Sequence, residues 1–156
     1  MPSISHICRR AGLTLGMGWK ALATPVALGV HAIVQDAEGR VLLARHSYMR
    51  GWHLPGGGVE AGEPPSEAIV RELREELGLA SCDVPEFLGL YTRKFGWVSN
   101  VIALYRVTGA VLDFKPNLEI REIVWVSPAL PPTDTAPGVR RRLAEISGQA
   151  ERSLYW

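Results

Sequence analysis

Apolar residues crowd the stretch from Val26 to Gln35, Asp36-Ala37-Glu38-Gly39 supply turn chemistry, and Val41-Leu42-Leu43 resume the apolar run. That order predicts a β-hairpin. From His46 to Pro55 aromatic and basic residues mix with glycine, predicting a surface loop that enters Gly56-Gly57-Gly58, where backbone can turn tightly or approach a ligand. Pro64-Pro65 end the extended chain, Ser66 is placed to cap a helix, and Glu67 sits in its first turn, favourable to the helix dipole. Ile69, Leu73 and Leu77 recur every four residues as the buried stripe, and Gly78 terminates the helix. Glu86 to Phe95 and Val98 to Val107 predict two strands joined around Gly96, with another strand over Glu119 to Val126. Pro137 opens a closing helix in which Val139, Leu143 and Ile146 face inward and Arg140, Arg141 and Arg142 face solvent. The expected class is α+β, a mixed sheet sandwiched between helices.

Composition narrows this picture. A chain of 156 residues with 47% apolar and 21% charged residues is expected to form one globular domain over 1–156. A formal net charge of +1 offers no global field for DNA or an anionic membrane, so an anionic partner must be held by local groups or metal. Cys8 and Cys82 stand far apart without metal-ligand spacing, which points to a reducing, cytoplasmic setting. Arg9 and Arg10 precede an apolar run that imitates a signal peptide weakly, but glycines and Lys20 interrupt it, and residues 1–24 are expected to form a helical arm. An apolar arm of this kind also makes a homodimer an expectation.

The chemistry concentrates in Arg71-Glu72-Leu73-Arg74-Glu75-Glu76-Leu77-Gly78-Leu79, with Glu63 and the glycine loop upstream. At 3.6 residues per turn, Glu72, Glu75 and Glu76 are expected to share a helical face away from the apolar stripe. Three carboxylates this close repel unless a cation neutralises them, and hard oxygen ligands suit Mg²⁺ or Mn²⁺. For the helix alone, a solvated face with Arg–Glu ion pairs explains the pattern as well. The combination with Glu63 and the glycines shifts the balance.

Gly57, five residues, Glu63, seven residues and then Arg71 to Leu79 resemble an unbroken Nudix box, G-x5-E-x7-R-E-U-x-E-E-x-G-U, in which every specified position matches. Trp52-His53-Leu54-Pro55-Gly56-Gly57-Gly58-Val59-Glu60 resembles the family's usual lead-in. The resemblance implies an α/β/α sandwich, a magnesium-dependent hydrolase of phosphoanhydride bonds, and a loop–helix–loop metal site. It implies Glu72, Glu75 and Glu76 as metal ligands, Glu63 as an auxiliary carboxylate, the Gly57 carbonyl in the metal shell and Arg71 orienting a glutamate. Glu119-Ile120-Arg121-Glu122 resembles the family's later acid-rich strand entry, so Glu119 or Glu122 is expected to bring a further carboxylate; an exposed strand edge with alternating charge explains either residue equally well. Glu72 is the first choice of general base, with Glu119 and Glu122 as alternatives.

The expected partner is a small nucleotide, either a nucleoside diphosphate linked to another moiety or a nucleoside triphosphate. Tyr48, Trp52, Tyr91 and Trp97 are candidates to stack on a base, and Arg45, Arg50 and Arg93 to contact phosphates, against the plainer expectation of core aromatics and solvated arginines. Two rivals stand beside hydrolysis of small nucleotides. A non-catalytic nucleotide sensor is disfavoured by the intact glutamates, and action on capped RNA ends is disfavoured by the lack of a broad basic stripe.

Overall fold

The computed structural model describes residues 25–156 other than Trp97; the arm expected over 1–24 and the stacking candidate Trp97 lie outside the described residues. Strand β1 (Val26–Val34) buries Val30, Ala32, Ile33 and Val34 completely, the pattern of a strand covered on both faces. The turn then forms as expected, with Arg40 bonded to the Asp36 carboxylate and Gly39 donating to the Asp36 carbonyl. The hairpin does not follow. Strand β2 (Val41–His46) pairs antiparallel with β7 (Ile120–Val126), whereas β1 runs parallel to β5 (Val98–Val107). Among the described residues the two arms are joined by the isolated Gln35–Val41 bridge and the Asp36–Arg40 backbone bond of the turn, because each strand finds a longer partner elsewhere.

Strand β4 (Glu86–Phe95) closes on β5 as an antiparallel pair, completing the mixed sheet β1-β5-β4. Short strands β3 (Leu79–Ser81) and β6 (Val111–Leu112), which the sequence pattern does not announce, form a separate pair. Helix α1 (Pro65–Leu77) packs Ile69, Leu73 and Leu77 against Val30, Ala32, Val34, Ala103, Tyr105 and Val107. On the opposite face, Ile33 and Leu104 meet Val139 and Leu143 of helix α2 (Pro137–Ile146). Alternation along β1 and β5 therefore feeds two cores, one under each helix, and gives the expected sandwich. Among the described residues no helix is long and apolar enough to cross a membrane.

Three local expectations are corrected. Ser66 does not cap α1: Pro64 is the N-cap and makes no side-chain bond, because Pro65 presets the first helical φ and lacks the N–H a cap would satisfy. His46, expected in a surface loop, closes β2 and is buried. Arg142, expected in solvent, is fully buried. Its guanidinium lies 4.0 Å over the Tyr91 ring, donates to Glu145 Oε1 at 2.5 Å and to the Tyr155 carbonyl at 3.0 Å. Glu145 Oε1 also accepts the Ser153 N–H at 2.8 Å, so this pair fastens segment 149–156 to α2. Arg142→Met keeps much of the volume but strands a buried carboxylate, and is expected to lower the unfolding free energy in urea by about 3 kcal/mol. Arg142→Met combined with Glu145→Gln should recover part of that loss; equal losses in both would show that the charge pair is not what holds the segment.

Candidate active site

Gly56 has φ +135° and passes so close to β1 that a Cβ would stand 2.8 Å from His31 Cα. This approach lets the Val30 N–H donate to the Gly57 carbonyl at 2.9 Å and the Ala32 N–H to the Pro55 carbonyl at 3.0 Å. At Gly57 a Cβ would meet the Glu72 carboxylate at 2.5 Å, so glycine is what allows that acid to close on the loop. The glycine run thus allows the close packing of the loop on β1 and on Glu72.

Helix α1 presents its acids in graded environments. Glu76 lies beside the Leu73 and Leu77 stripe and is only 2% exposed, a correction to the expectation that all three acids share a face away from that stripe. Three residues after Leu73 and so about 60° from it round the wheel, it points towards the loop rather than away from the core, and its Oε2 accepts the Gly56 N–H at 2.8 Å. Burial, reinforced by the charges of Glu72, Glu119 and Glu75, pushes its carboxyl up to about 8 against the pull of that N–H. Glu72 is half-way in, and burial raises its carboxyl too, opposed by Arg71. Glu75 remains exposed.

Arg71 joins these groups. Its Nε and Nη2 clasp the two Glu63 oxygens at 2.8 and 2.9 Å, Nη1 reaches Glu72 at 2.9 Å and Glu75 at 3.3 Å, and Nη2 also donates to the Gly58 carbonyl at 2.9 Å. The Arg71 bonds, with the Glu60 N–H, hold the Glu63 carboxyl at about 2. A bidentate fork of this kind fixes orientation as well as charge.

Glu119 joins the cluster electrostatically: its charge bears on Glu72, Glu76 and Tyr48. Asn117 explains how, donating to the Glu76 carbonyl at 3.0 Å while its Oδ1 accepts the Glu119 and Ile120 N–H groups. A lone Asn before a strand carries no sequence signal for that role. Glu122 is placed differently, opposite Arg45 in the β2–β7 pair at 3.6 Å. Register slips between Arg45 and His46, where β7 carries the extra residue Arg121. His46 Nδ1 comes within 3.8 Å of Glu76 Oε1, and burial lowers the imidazole to about 4, keeping it neutral.

Next to His46 and Gly56 opens a cavity of about 590 Å³, of ordinary ligand-binding size. Tyr48, Arg50 and Arg93, flagged as contact candidates, line it. Trp52 and Tyr91 are instead buried in the core under α2, and Arg45 lies 4.4 Å over Trp52 and bonds to Asp134 at 3.0 Å. His31, His53, Arg141 and Trp156 also line the cavity. Their contributions come from separate segments with no shared motif, which is why no sequence pattern marked them.

The cluster fits a hard divalent cation. Its donors are carboxylate oxygens, and Glu72 and Glu76 are both raised by burial, with the charges of neighbouring glutamates adding to the shift. Among the described residues no three such groups yet converge as a cation cage, since Arg71 holds Glu63, Glu72 and Glu75 by their oxygens.

A family model described as the NUDIX domain matches residues 25–146. A Bacillus subtilis protein named "Putative 8-oxo-dGTP diphosphatase" is 30% identical over 125 residues, 79% of this chain and 81% of that protein. An RNA pyrophosphohydrolase of Halorhodospira halophila is 54% identical over 55 residues, 35% of this chain and 30% of that one. The matches span only 25% to 39% of the length of the first curated relatives. The crystal structure of a MutT protein from Methanosarcina mazei shares the fold with a TM-score of 0.69 at 25% identity, over 83% of this chain and 98% of the other. With the box intact, the sandwich formed and the family model spanning most of the chain, this protein belongs to the NUDIX family.

Proposed function

We propose that this protein is a Mg²⁺- or Mn²⁺-dependent pyrophosphohydrolase that cleaves a phosphoanhydride bond in a small nucleotide. The observation that carries this reading is the graded acid cluster of α1, locked by Arg71 and the glycine loop and opening beside a ligand-sized cavity. Glu72, Glu75 and Glu76 would hold the cation, with the Gly57 carbonyl, Glu63 and Glu119 in support. When bound, the cation offsets phosphate charge and makes water a better nucleophile. Glu72, whose carboxylate closes on the glycine loop at Gly57, is the group that takes a proton from the attacking water. Glu119 is a better alternative base than Glu122, whose partner is Arg45. Arg71 keeps the carboxylates aimed while Glu63 holds Arg71. Relatives named as an RNA pyrophosphohydrolase and as an 8-oxo-dGTP diphosphatase support a pyrophosphate bond as the target.

Phosphate and pyrophosphate release, followed over nucleoside triphosphates, nucleotide sugars, dinucleoside polyphosphates and ADP-ribose, tests the reading. Turnover of at least one class is expected with Mg²⁺. Exhaustive chelation should abolish it and added Mn²⁺ restore it, whereas a rate that survives chelation would exclude the mechanism.

A further inference from the structure

The segment after α2 doubles back across β4. Thr92 donates to the Leu154 carbonyl at 2.9 Å and accepts the Trp156 N–H at 3.1 Å, so the chain pairs briefly with β4. Arg142 holds the Tyr155 carbonyl from below, and Arg141 bonds to the Trp156 carbonyl. These contacts lay the Trp156 indole parallel to His31, with ring centres 5.0 Å apart and planes 19° apart. Its edge rests on the start of α2, where a Cβ at Gly138 would come within 2.5 Å of the indole nitrogen. Burial lowers His31 to about 4, so the stacked imidazole is neutral near pH 7.

The stacked pair lines the same cavity as Gly56 and His46, and these two residues in turn reach Glu76, Gly56 through its N–H and His46 at 3.8 Å. Arg50, Arg93 and Arg141 stand round the same cavity. Flat rings and guanidinium groups sharing one cavity, with the Glu76 carboxylate bonded to the loop that lines it, suit a ligand with a planar base and an anionic chain. We propose that Trp156 is a specificity-determining residue: its indole receives the heteroaromatic base of the nucleotide and so sets which diphosphates bind well. This deepens the hydrolase reading above and rests on it for the position of the phosphates. Arg142 is a positioning residue, acting on the ligand only through the segment that carries Trp156.

The full chain and its Trp156→Ala, Trp156→Leu and Trp156→Phe variants are titrated with GTP, ATP and inorganic tripolyphosphate. Tryptophan fluorescence follows binding, and phosphate release with Mg²⁺ follows turnover. Base–aromatic stacking is worth about 1–3 kcal/mol, roughly 5- to 150-fold in affinity. Trp156→Ala and Trp156→Leu are therefore expected to raise KM for the nucleotide at least about tenfold with little change in kcat. The ratio of nucleotide to tripolyphosphate affinity should collapse by the same factor, and Trp156→Phe should restore most of it. In the native chain the nucleotide quenches a fluorescence component that Trp156→Phe lacks, a reading that needs no folded alanine variant. Equal losses for nucleotide and tripolyphosphate, an unchanged KM, or no nucleotide-dependent quenching would overturn the proposal. Quenching and base-selective binding without turnover of any substrate would instead overturn the hydrolase reading and leave the role of Trp156 standing.

Discussion

Glu76→Gln is expected to lose cation-dependent turnover by roughly a hundredfold or more and, in cation-free buffer at about pH 8.5, to melt at a higher temperature than the native chain. Both effects have one cause. In the folded protein burial lifts the Glu76 carboxyl from its usual 4.5 to about 8. A raised value means that folding favours the protonated acid, so the native chain has its full stability below about pH 4.5 and loses it as pH rises through about 8. The loss is on the order of 3–5 kcal/mol at alkaline pH. Glutamine keeps the acceptor for the Gly56 N–H and never ionises, so it avoids that penalty. The melting difference between variant and native chain should be near zero at about pH 5 and should widen with pH. Added Mg²⁺ should reverse the order at about pH 8.5, because only the native chain gains stability by binding it. Calorimetry at the two pH values decides the matter: a variant that melts no higher at the alkaline end would show that Glu76 does not carry a buried charge there.

Gly56→Ala should be the most damaging of the conservative changes in the loop. The positive φ is already unfavourable for alanine, and the new methyl would press on the Val30–His31 backbone, which cannot swing aside as a side chain can. The loop must lift from β1, breaking the Val30–Gly57 and Ala32–Pro55 hydrogen bonds together with the Gly56–Glu76 bond. A loss of about 3 kcal/mol or more in unfolding free energy is expected, with turnover falling in parallel. Gly58→Ala is the control, since a Cβ there meets nothing within 4 Å. Equal tolerance of the two substitutions in urea denaturation would show that the close approach to β1 is not needed.

What the chain's pattern made legible depended on how local the cause was. Helix α1 ending at Gly78, strands β4 and β5 with their turn, and α2 opening at Pro137 each follow from periodicity and breakers within one segment. The separation of β1 from β2 did not, because the Asp36–Gly39 turn specifies a reversal and says nothing about which strand lies alongside. Arg142 misled for a related reason: within a run of three arginines nothing distinguishes the one that meets Tyr91 and Glu145 in the interior. At the site, fixed spacing named every acid that Arg71 gathers, yet could not grade them, since the burial of Glu76 depends on a loop twenty residues upstream. Trp156 belongs to no periodic pattern at all.

The parting of β1 and β2 also bears on the order in which the chain assembles. Strands β4 and β5 meet across a tight turn, a cheap closure, whereas β1 must find a partner whose pairing begins at Ser99, with α1 and three strands of chain in between. The glycine loop docks on β1, and Glu76 is held by that loop. Helix α1 therefore acquires its acids' final surroundings only after the longest-range pairing in the sheet has formed, which places the acid cluster among the last parts of the molecule expected to mature during folding.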